Sequence, residues 1–479
     1  MQLQFLIMDE DARDFYENEE ILEAVKRFRK MTEDGSFEYF DVFEIEGMVD
    51  YFLDEGKIKL ANKAIENGLK IHPASTSLQI KKAQILLVEG KAEESFDLIN
   101  LAEKIEKTNP DVFLIKGSAL IMLGMVTEAI EAYEQSIRYN YDDTDDLLYN
   151  ISITLSQAGE TDKAIDFLER AYKVNPENEL VLYELGYCYD KKQDFEKSIV
   201  YYNHYLDIDP FNASVWYNLG ITYNRIGQHD EAVNAYDYSI AIQDNFEQAY
   251  FNKANALSNS NRYEEAVKCY KEYLELDKNN DDAYCYLGEC YLNLEKNDEA
   301  LINYRKAIRI NKNNANAWYG SGLIMWIEGK LTEALVFIKK ALKLDDENAD
   351  FWLIYGKINH ESEKFDQAEN AFEKAVSLEP DNPDAWVSYA EMEYERGHLN
   401  DAILILKNAY QIISDDSAIS YRLTAYLLEN NDELSATGYF EKALELDFNG
   451  YHNLFDYYPE AIQNESIKKL IKKYQSTKL

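Results

Sequence analysis

Apolar and polar positions repeat along this chain with a period of 34 residues. Windows of that length start at positions 42, 76, 110, 145, 179, 213, 247, 281, 315, 349, 383 and 417, and the third contains one extra residue. In each window, positions 1–14 carry apolar residues at helical spacing, a glycine or polar turn falls near position 15, and positions 18–31 form a second amphipathic segment. The pattern predicts twelve helical hairpins, which must stack because a single hairpin cannot bury its apolar face alone.

Three window positions hold residues of a restricted kind. Position 20 is small in all twelve windows, and position 8 is glycine in half of them. Small residues allow two helices to approach closely, so both positions predict helix contacts. Position 4 holds four of the five tryptophans, and we expect Trp216 there to be buried between helices; the four are Trp216, Trp318, Trp352 and Trp386.

The sixth window carries a recognisable motif. The window fits the pattern W-x2-L-G-x2-Y followed by A-x3-F, with the matches at Trp216, Leu219, Gly220, Tyr223, Ala232 and Tyr236. This motif and its period resemble the tetratricopeptide repeat (TPR) family over residues 42–450. The resemblance implies an all-α fold, a right-handed superhelical solenoid of antiparallel helix pairs, whose first helices line a concave groove.

Both ends of the chain depart from the repeat. We interpret residues 1–41 as an N-terminal helical cap, 42–450 as twelve TPR-like repeats and 451–479 as a C-terminal capping helix. The last segment has Ile467, Leu470 and Ile471 on one face and lysines on the other. A basic amphipathic helix that touches a membrane or an acidic partner is the alternative interpretation of that segment.

The net charge of the chain indicates which classes of partner it can bind. The chain has 49 Lys and Arg against 89 Asp and Glu, a formal net charge of −40. Because nucleic acids and anionic membranes are bound through lysine and arginine, we expect neither as a direct partner.

Four cysteines without paired spacing indicate reduced thiols in a cytoplasmic protein. The short apolar stretch at residues 3–8 does not fit a secretory signal, and no segment is long enough to span a membrane.

Motifs of catalysis and metal binding are missing from the sequence. It contains no GxxxxGK[ST], GxGxxG after a strand, HExxH or GxSxG, and the six histidines have no metal-ligand spacing. His360 and Glu361 are neighbours, but adjacent side chains on a helix point about 100° apart. We therefore expect no enzyme, no catalytic residues, no cofactor and no metal.

The resemblance assigns window positions 2, 5, 6, 9, 12 and 13 to the groove and positions 4, 8, 11, 20, 24 and 27 to packing. Position 5 is aromatic in five of six consecutive windows, with Cys285 as the exception, and asparagine recurs at positions 6 and 9. An asparagine amide offers both a donor and an acceptor to a peptide backbone. The predicted groove residues are Tyr149, Asn150, Tyr183, Tyr217, Asn218, Phe251, Asn252, Asn255 and Tyr319. The alternative, that this aromatic row is only inter-repeat packing, stays open.

Charge at the groove positions indicates the kind of ligand. Acids there, among them Glu184 and Glu289, outnumber bases, so a ligand rich in Lys and Arg would be attracted. The family's clamp for a C-terminal carboxylate requires lysine at position 5, which is aromatic here. We predict a non-enzymatic scaffold that binds a protein or peptide segment, of basic character, in its groove. The alternative is a structural homo-oligomer that assembles through the solenoid ends.

Overall fold

The structure is a computed structural model that describes residues 19–140 and 144–477. It divides into two compact units with the boundary between Phe246 and Glu247. Each unit is a series of antiparallel helix pairs joined by short turns, and the described residues contain no strand. The predicted all-α fold of stacked helical hairpins is confirmed.

The first unit contains a leading helix and six pairs. Its helices are α1 (Glu19–Asp34), α2 (Val42–Asp54), α3 (Ile58–Ile71), α4 (Thr76–Val88), α5 (Ala92–Ile105), α6 (Pro110–Met122), α7 (Val126–Tyr139), α8 (Thr144–Gln157), α9 (Thr161–Val174), α10 (Glu179–Lys191), α11 (Phe195–Ile208), α12 (Ala213–Arg225) and α13 (His229–Ile242).

The second unit contains six more pairs and a closing segment. Its helices are α14 (Glu247–Asn259), α15 (Tyr263–Leu276), α16 (Asp281–Asn293), α17 (Asn297–Ile310), α18 (Ala315–Ile327), α19 (Leu331–Leu344), α20 (Ala349–Glu361), α21 (Phe365–Leu378), α22 (Pro383–Glu395), α23 (Leu399–Ile412), α24 (Ser417–Glu429), α25 (Glu433–Leu446), α26 (His452–Tyr457) and α27 (Glu465–Thr477). Two 3₁₀ turns, Phe448–Tyr451 and Pro459–Gln463, flank α26.

Polar caps fix where the first helix of a pair begins. Asn212, for example, accepts the backbone N–H groups of Ser214 and Val215 and thereby satisfies two of the four unpaired donors at the start of α12. The same device recurs one residue before the window start in most repeats. The other side chains that cap in this way are Asp41, Ser75, Asn109, Asn178, Asn280, Asn314, Asn348, Asn382 and Asp416.

Each pair turns through a residue with positive φ at window position 15. Seven of these residues are glycines, which adopt this left-handed conformation without a steric penalty. The other five carry side chains; they are Gln193, Asn261, Glu295, Glu363 and Asn431. The turn between the two helices is therefore the same in all twelve pairs, whichever residue occupies it.

Glu363→Gly is expected to stabilise the protein. The left-handed conformation costs a residue with a Cβ about 1–2 kcal/mol, and the greater freedom of glycine in the unfolded chain offsets about 0.5–1 kcal/mol of that gain. The net increase in unfolding free energy should be about 0.5–1 kcal/mol, seen as a higher urea midpoint. Asn431→Gly is the control and should gain less, because asparagine tolerates this conformation. An equal or lower midpoint for Glu363→Gly would contradict the expectation.

Small and large residues face each other inside each hairpin. The glycine at position 8 lies against the ring at position 24 in five repeats, and a Cβ added to it would come within 2.4–2.9 Å of that ring. The predicted close approach of the two helices is confirmed. The pairs are Gly117 with Tyr133, Gly186 with Tyr202, Gly220 with Tyr236, Gly288 with Tyr304 and Gly356 with Phe372.

The tryptophans at position 4 are less buried than the sequence predicted. Trp216 was expected to be buried, but it is only half-buried, and the buried residue is its neighbour Val215 at position 3. The indole N–H donates to the carbonyl of Pro210, six residues earlier, at 2.9 Å. The physical reason is that the indole nitrogen needs an acceptor, which the turn before the helix supplies at the surface. Trp318, Trp352 and Trp386 make the same bond, at 2.8–2.9 Å.

The described ends carry additional helices. In the first unit, Ile21, Val25 and Phe28 of α1 are buried in one cluster with residues of α2. In the second unit, Ile467 of α27 is fully buried against the last pair. The predicted segments 1–41, 42–450 and 451–479 remain a prediction, and the first 18 residues, including the apolar stretch 3–8, lie outside the described part. Within that part, no helix combines the length and apolar character needed to cross a membrane.

Candidate functional site

The predicted groove residues of the first unit lie on three first helices. Tyr149 and Asn150 are on α8, Tyr183 is on α10, and Tyr217 and Asn218 are on α12. All five are half-buried. They are thus neither core residues nor fully exposed ones, and a side of each remains accessible.

Contacts within a repeat and between neighbouring repeats hold three of these side chains in place. The Tyr183 ring lies 6.3 Å from that of Tyr202, and the Tyr217 ring lies 5.9 Å from Tyr236. The amide of Asn218 donates to the hydroxyl of Tyr183 at 3.0 Å. Because one donor of this amide is used inside the protein, Asn218 retains less capacity for a ligand backbone than the sequence suggested.

In the second unit the predicted residues lie on α14 and α18. Phe251 packs on Tyr273 at 5.2 Å and on Tyr286 at 5.9 Å, and Tyr319 stacks on Phe351 at 4.7 Å. The two predicted asparagines of this unit, Asn252 and Asn255, are half-buried. The side-chain oxygen of Asn255 accepts a hydrogen bond from the hydroxyl of Tyr270. Cys285, which interrupts the aromatic row, is buried. Packing is therefore one role of the aromatic row in both units.

A carboxylate without a partner lies within the row of the first unit. Glu184, on α10, makes no hydrogen bond or ion pair to any described residue, and its burial raises the pKa of its carboxyl. Burial together with the charge of Glu184 raises the pKa of Tyr149 to about 12. The sequence identified Glu184 only as one of several groove acids, and nothing in it showed that this acid is unpaired.

The second unit has an equivalent group, Glu289 on α16. Its side chain remains accessible to solvent and has no hydrogen-bond or ion-pair partner among the described residues. The desolvation caused by the surrounding side chains raises the pKa of its carboxyl. Burial raises the pKa of four tyrosines near it, and the charge of Glu289 adds to the effect; they are Tyr270, Tyr286, Tyr304 and Tyr319.

Some of the other charges at groove positions are neutralised by ion pairs. Lys357 pairs with Asp384 at 2.6 Å, and Arg225 pairs with Asp190. An acid that is paired in this way offers little to a cationic ligand. The carboxylates of Glu184 and Glu289 differ from Asp190 in having no such partner among the described residues, and each lies near tyrosines.

One group of side chains resembles a metal site in its spacing. The ligand atoms of Glu393, His398 and Asp401 lie within 4.8 Å of one another. However, Glu393 accepts from Arg396 at 2.7 Å and from His398 at 2.7 Å, so both its oxygens are engaged. The guanidinium beside this carboxylate repels a cation. The group is an ion-pair network, and it was not visible in the sequence because its members lie on α22, in the following turn and on α23.

The neighbours His360 and Glu361 have separate partners. His360 bonds to Glu395 at 2.9 Å, and Glu361 accepts from the indole of Trp326 at 2.9 Å. The two side chains therefore do not form an acid–base pair with each other.

Comparisons with known proteins match several parts of the chain. The profile of the family described as "Cilia and flagella-associated protein 70 C-terminal domain" matches residues 243–454. Two profiles described as "Tetratricopeptide repeat" match residues 201–234 and residues 114–179 and 149–213. No curated protein matches the chain significantly.

Solved structures with a similar arrangement include three repeat proteins. MamA is 26% identical over 36% of this chain and 96% of its own, with a TM-score of 0.34. YrrB, described as a TPR protein with an unusual peptide-binding site, is 23% identical over 38% of this chain and 95% of its own, with a TM-score of 0.32. A chain of the APC/C hetero-tetramer Cut9–Hcn1 is 12% identical over 91% of this chain and 96% of its own, with a TM-score of 0.40.

Proposed function

Because this chain is a tetratricopeptide repeat protein, we propose that it is a non-enzymatic scaffold that binds a protein or peptide segment along the first helices of its repeats. The groove residues of each unit present half-buried rings to that segment. The observation that carries the proposal is that two carboxylates near tyrosines, Glu184 and Glu289, have no hydrogen-bond or ion-pair partner among the residues that the structure describes.

The chemistry around these carboxylates favours a basic ligand. A lysine or arginine side chain would neutralise the carboxylate and place its cation beside aromatic rings, an arrangement worth about 0.5–2 kcal/mol for the ring contact alone. The acids near the site also attract cationic segments from solution. The preferred partner is accordingly a protein segment that carries Lys or Arg.

Other partners and modes of assembly are less favoured. The net charge of −40 opposes binding of nucleic acid or an anionic membrane. The four free cysteines fit a protein of the cytoplasm. Assembly through the ends, the structural homo-oligomer, is disfavoured because α1 and α27 bury apolar residues against the terminal pairs. No metal or cofactor enters the proposal.

Glu289→Gln is expected to weaken binding of a basic peptide while stabilising the protein. The probe is a labelled peptide with lysines spaced by glycine and serine, titrated by fluorescence anisotropy. We expect a loss of about 5- to 10-fold in affinity, which corresponds to about 1–1.4 kcal/mol. The melting temperature at pH 7 should rise, because the substitution removes a charge that partial desolvation by the surrounding side chains disfavours.

The pH dependence follows from the raised pKa. A carboxyl whose folded pKa exceeds its unfolded value binds its proton more tightly in the folded state, so the wild type gains stability as pH falls. The melting advantage of Glu289→Gln should therefore shrink as pH approaches about 4.3, the ordinary glutamate pKa. Glu299→Gln, an exposed position on α17, changes the net charge equally and serves as the control. If Glu289→Gln lowers the melting temperature and leaves binding unchanged, the aromatic row is packing alone.

A further inference from the structure

In the second unit, the second helices of two consecutive repeats carry a basic surface. In both the eighth and the ninth repeat, position 22 is aliphatic and positions 25, 26 and 29 are basic. No other repeat has three bases at these four positions. This spacing of i, i+3, i+4 and i+7 places the four residues on one helix face. We call this surface the basic outer face; it comprises Ile302, Arg305, Lys306 and Arg309 of α17 and Val336, Lys339, Lys340 and Lys343 of α19.

Packing connects the two helices through one helix that both of them contact. The ring of Tyr304, on α17, lies against Gly320 of α18, and Trp318 of α18 contacts Phe337 of α19 at 5.8 Å between ring centroids. Both second helices thus contact the same first helix, α18. Equivalent positions of consecutive repeats lie side by side in such a stack.

The cations of this face are not neutralised within the protein. None of its six bases forms an ion pair with any residue that the structure describes, although Lys357 and Arg396 in the same unit are both paired. Three of the ammonium groups lie over rings: Lys306 over Tyr284 at 5.1 Å, Lys339 over Tyr355 at 5.8 Å and Lys340 over Trp318 at 5.9 Å. In a chain with a net charge of −40, six unpaired bases on one surface form a local field of the opposite sign.

Aliphatic side chains are exposed within this basic field. Ile302 is 55% and Val336 is 65% exposed. Removal of water from these two side chains would favour a ligand that carries apolar groups next to its charges.

We propose that the basic outer face binds an acidic amphipathic segment of a partner protein, with carboxylates on the six bases and apolar side chains on Ile302 and Val336. This interaction is independent of the groove and involves a partner of opposite charge to the groove ligand. A nucleic acid would satisfy the bases but would leave both aliphatic residues without a partner. Its phosphates would also meet the acidic remainder of the chain.

The test uses two synthetic peptides of about 16 residues, long enough for about four helical turns. The first has glutamates with leucines at i, i+3, i+4 and i+7, and the second has serine in place of each leucine. Binding to the full chain is measured by fluorescence anisotropy at moderate salt. We expect the first peptide to bind and the second to bind at least about tenfold more weakly.

Matched variants locate the binding surface. Arg309→Glu with Lys343→Glu should weaken binding of the first peptide by about tenfold or more. Lys70→Glu with Lys104→Glu makes the same charge change at the same window position in the first two repeats and should leave binding unchanged. Val336→Ser should also weaken binding, whereas Val200→Ser, at the equivalent position of the fifth repeat and 62% exposed, should not. All these sites are exposed, so circular dichroism should show an intact fold for each variant.

Four outcomes would overturn the proposal. The wild type does not bind the leucine-containing peptide, or both charge pairs weaken binding equally. The serine peptide binds as tightly as the leucine peptide, which would indicate attraction of any polyanion. Single-stranded DNA of equal charge binds more tightly than the leucine peptide, which would assign the surface to nucleic acid.

Discussion

Tyr304→Ala is expected to lower the unfolding free energy of the second unit by about 3–5 kcal/mol, the cost of removing a large buried ring. The ring is 3% exposed and lies between two glycines of consecutive repeats. A Cβ would come within 2.9 Å of the ring from Gly288 and within 2.3 Å of it from Gly320. Because the two residues that face the ring are glycines and have no side chain to fill the vacated space, the cavity should persist. Urea denaturation followed by far-UV circular dichroism measures the loss.

A second substitution shows whether this contact is the cause. Gly320→Ala alone should cost about 1–3 kcal/mol, since the new methyl group meets the ring. In the Tyr304→Ala background the same change should be neutral or stabilising, because alanine favours a helix over glycine by about 0.5–1 kcal/mol. Gly438→Ala, in α25, is the control and should be stabilising, because its new methyl group would have no atom within 4 Å. An equal cost of Gly320→Ala in both backgrounds would exclude the ring contact.

Removal of residues 464–479 is expected to convert the protein into larger species. Ile467 is fully buried, and Leu470, Ile471 and Tyr474 pack on the same terminal cluster of the second unit. Deleting α27 exposes this apolar face, and an uncovered repeat end tends to associate with another copy. Light scattering measures the increase in mass.

A charge variant separates the packing of α27 from its lysines. Lys469→Gln with Lys472→Gln removes two exposed charges and leaves the buried face of α27 unchanged. This variant should keep the mass of the wild type. If the deletion also keeps that mass, α27 is dispensable as a cap, and a role for its basic face in partner binding becomes the better hypothesis.

The sequence predicted the helix pairs because their packing depends on residue size at fixed spacing. A glycine at position 8 with a ring at position 24 is enough to place two helices in contact. The expectation for Trp216 was wrong because size alone does not account for an indole N–H that needs an acceptor. Likewise, the glycines near position 15 indicated a turn, but not that Glu363 and Gln193 would adopt the same positive φ there.

The site was predictable in its aromatic residues and less so in its charges. Tyr183 and Tyr217 repeat at the window period, so their shared position was visible in the sequence. Which acids lack a partner was not visible, because the pairing joins residues about one repeat apart. Asp190 is paired with Arg225 across 35 residues, whereas Glu184, six residues before Asp190, is not paired. Such a difference depends on the side-chain orientations of neighbouring helices.

The half-buried indoles give each unit its own spectroscopic reporter. Trp216 belongs to the first unit, whereas Trp318, Trp352 and Trp386 belong to the second, and each is bonded to the turn that joins it to the preceding repeat. When such a turn opens, its indole loses the carbonyl and enters water, which shifts its emission to longer wavelength. A variant that keeps Trp216 alone therefore emits from the sixth repeat, and one that keeps Trp386 alone emits from the eleventh. If the repeats unfold stepwise, the unfolding curves recorded from the emission of these two variants will differ. If the array unfolds cooperatively, the two curves will coincide.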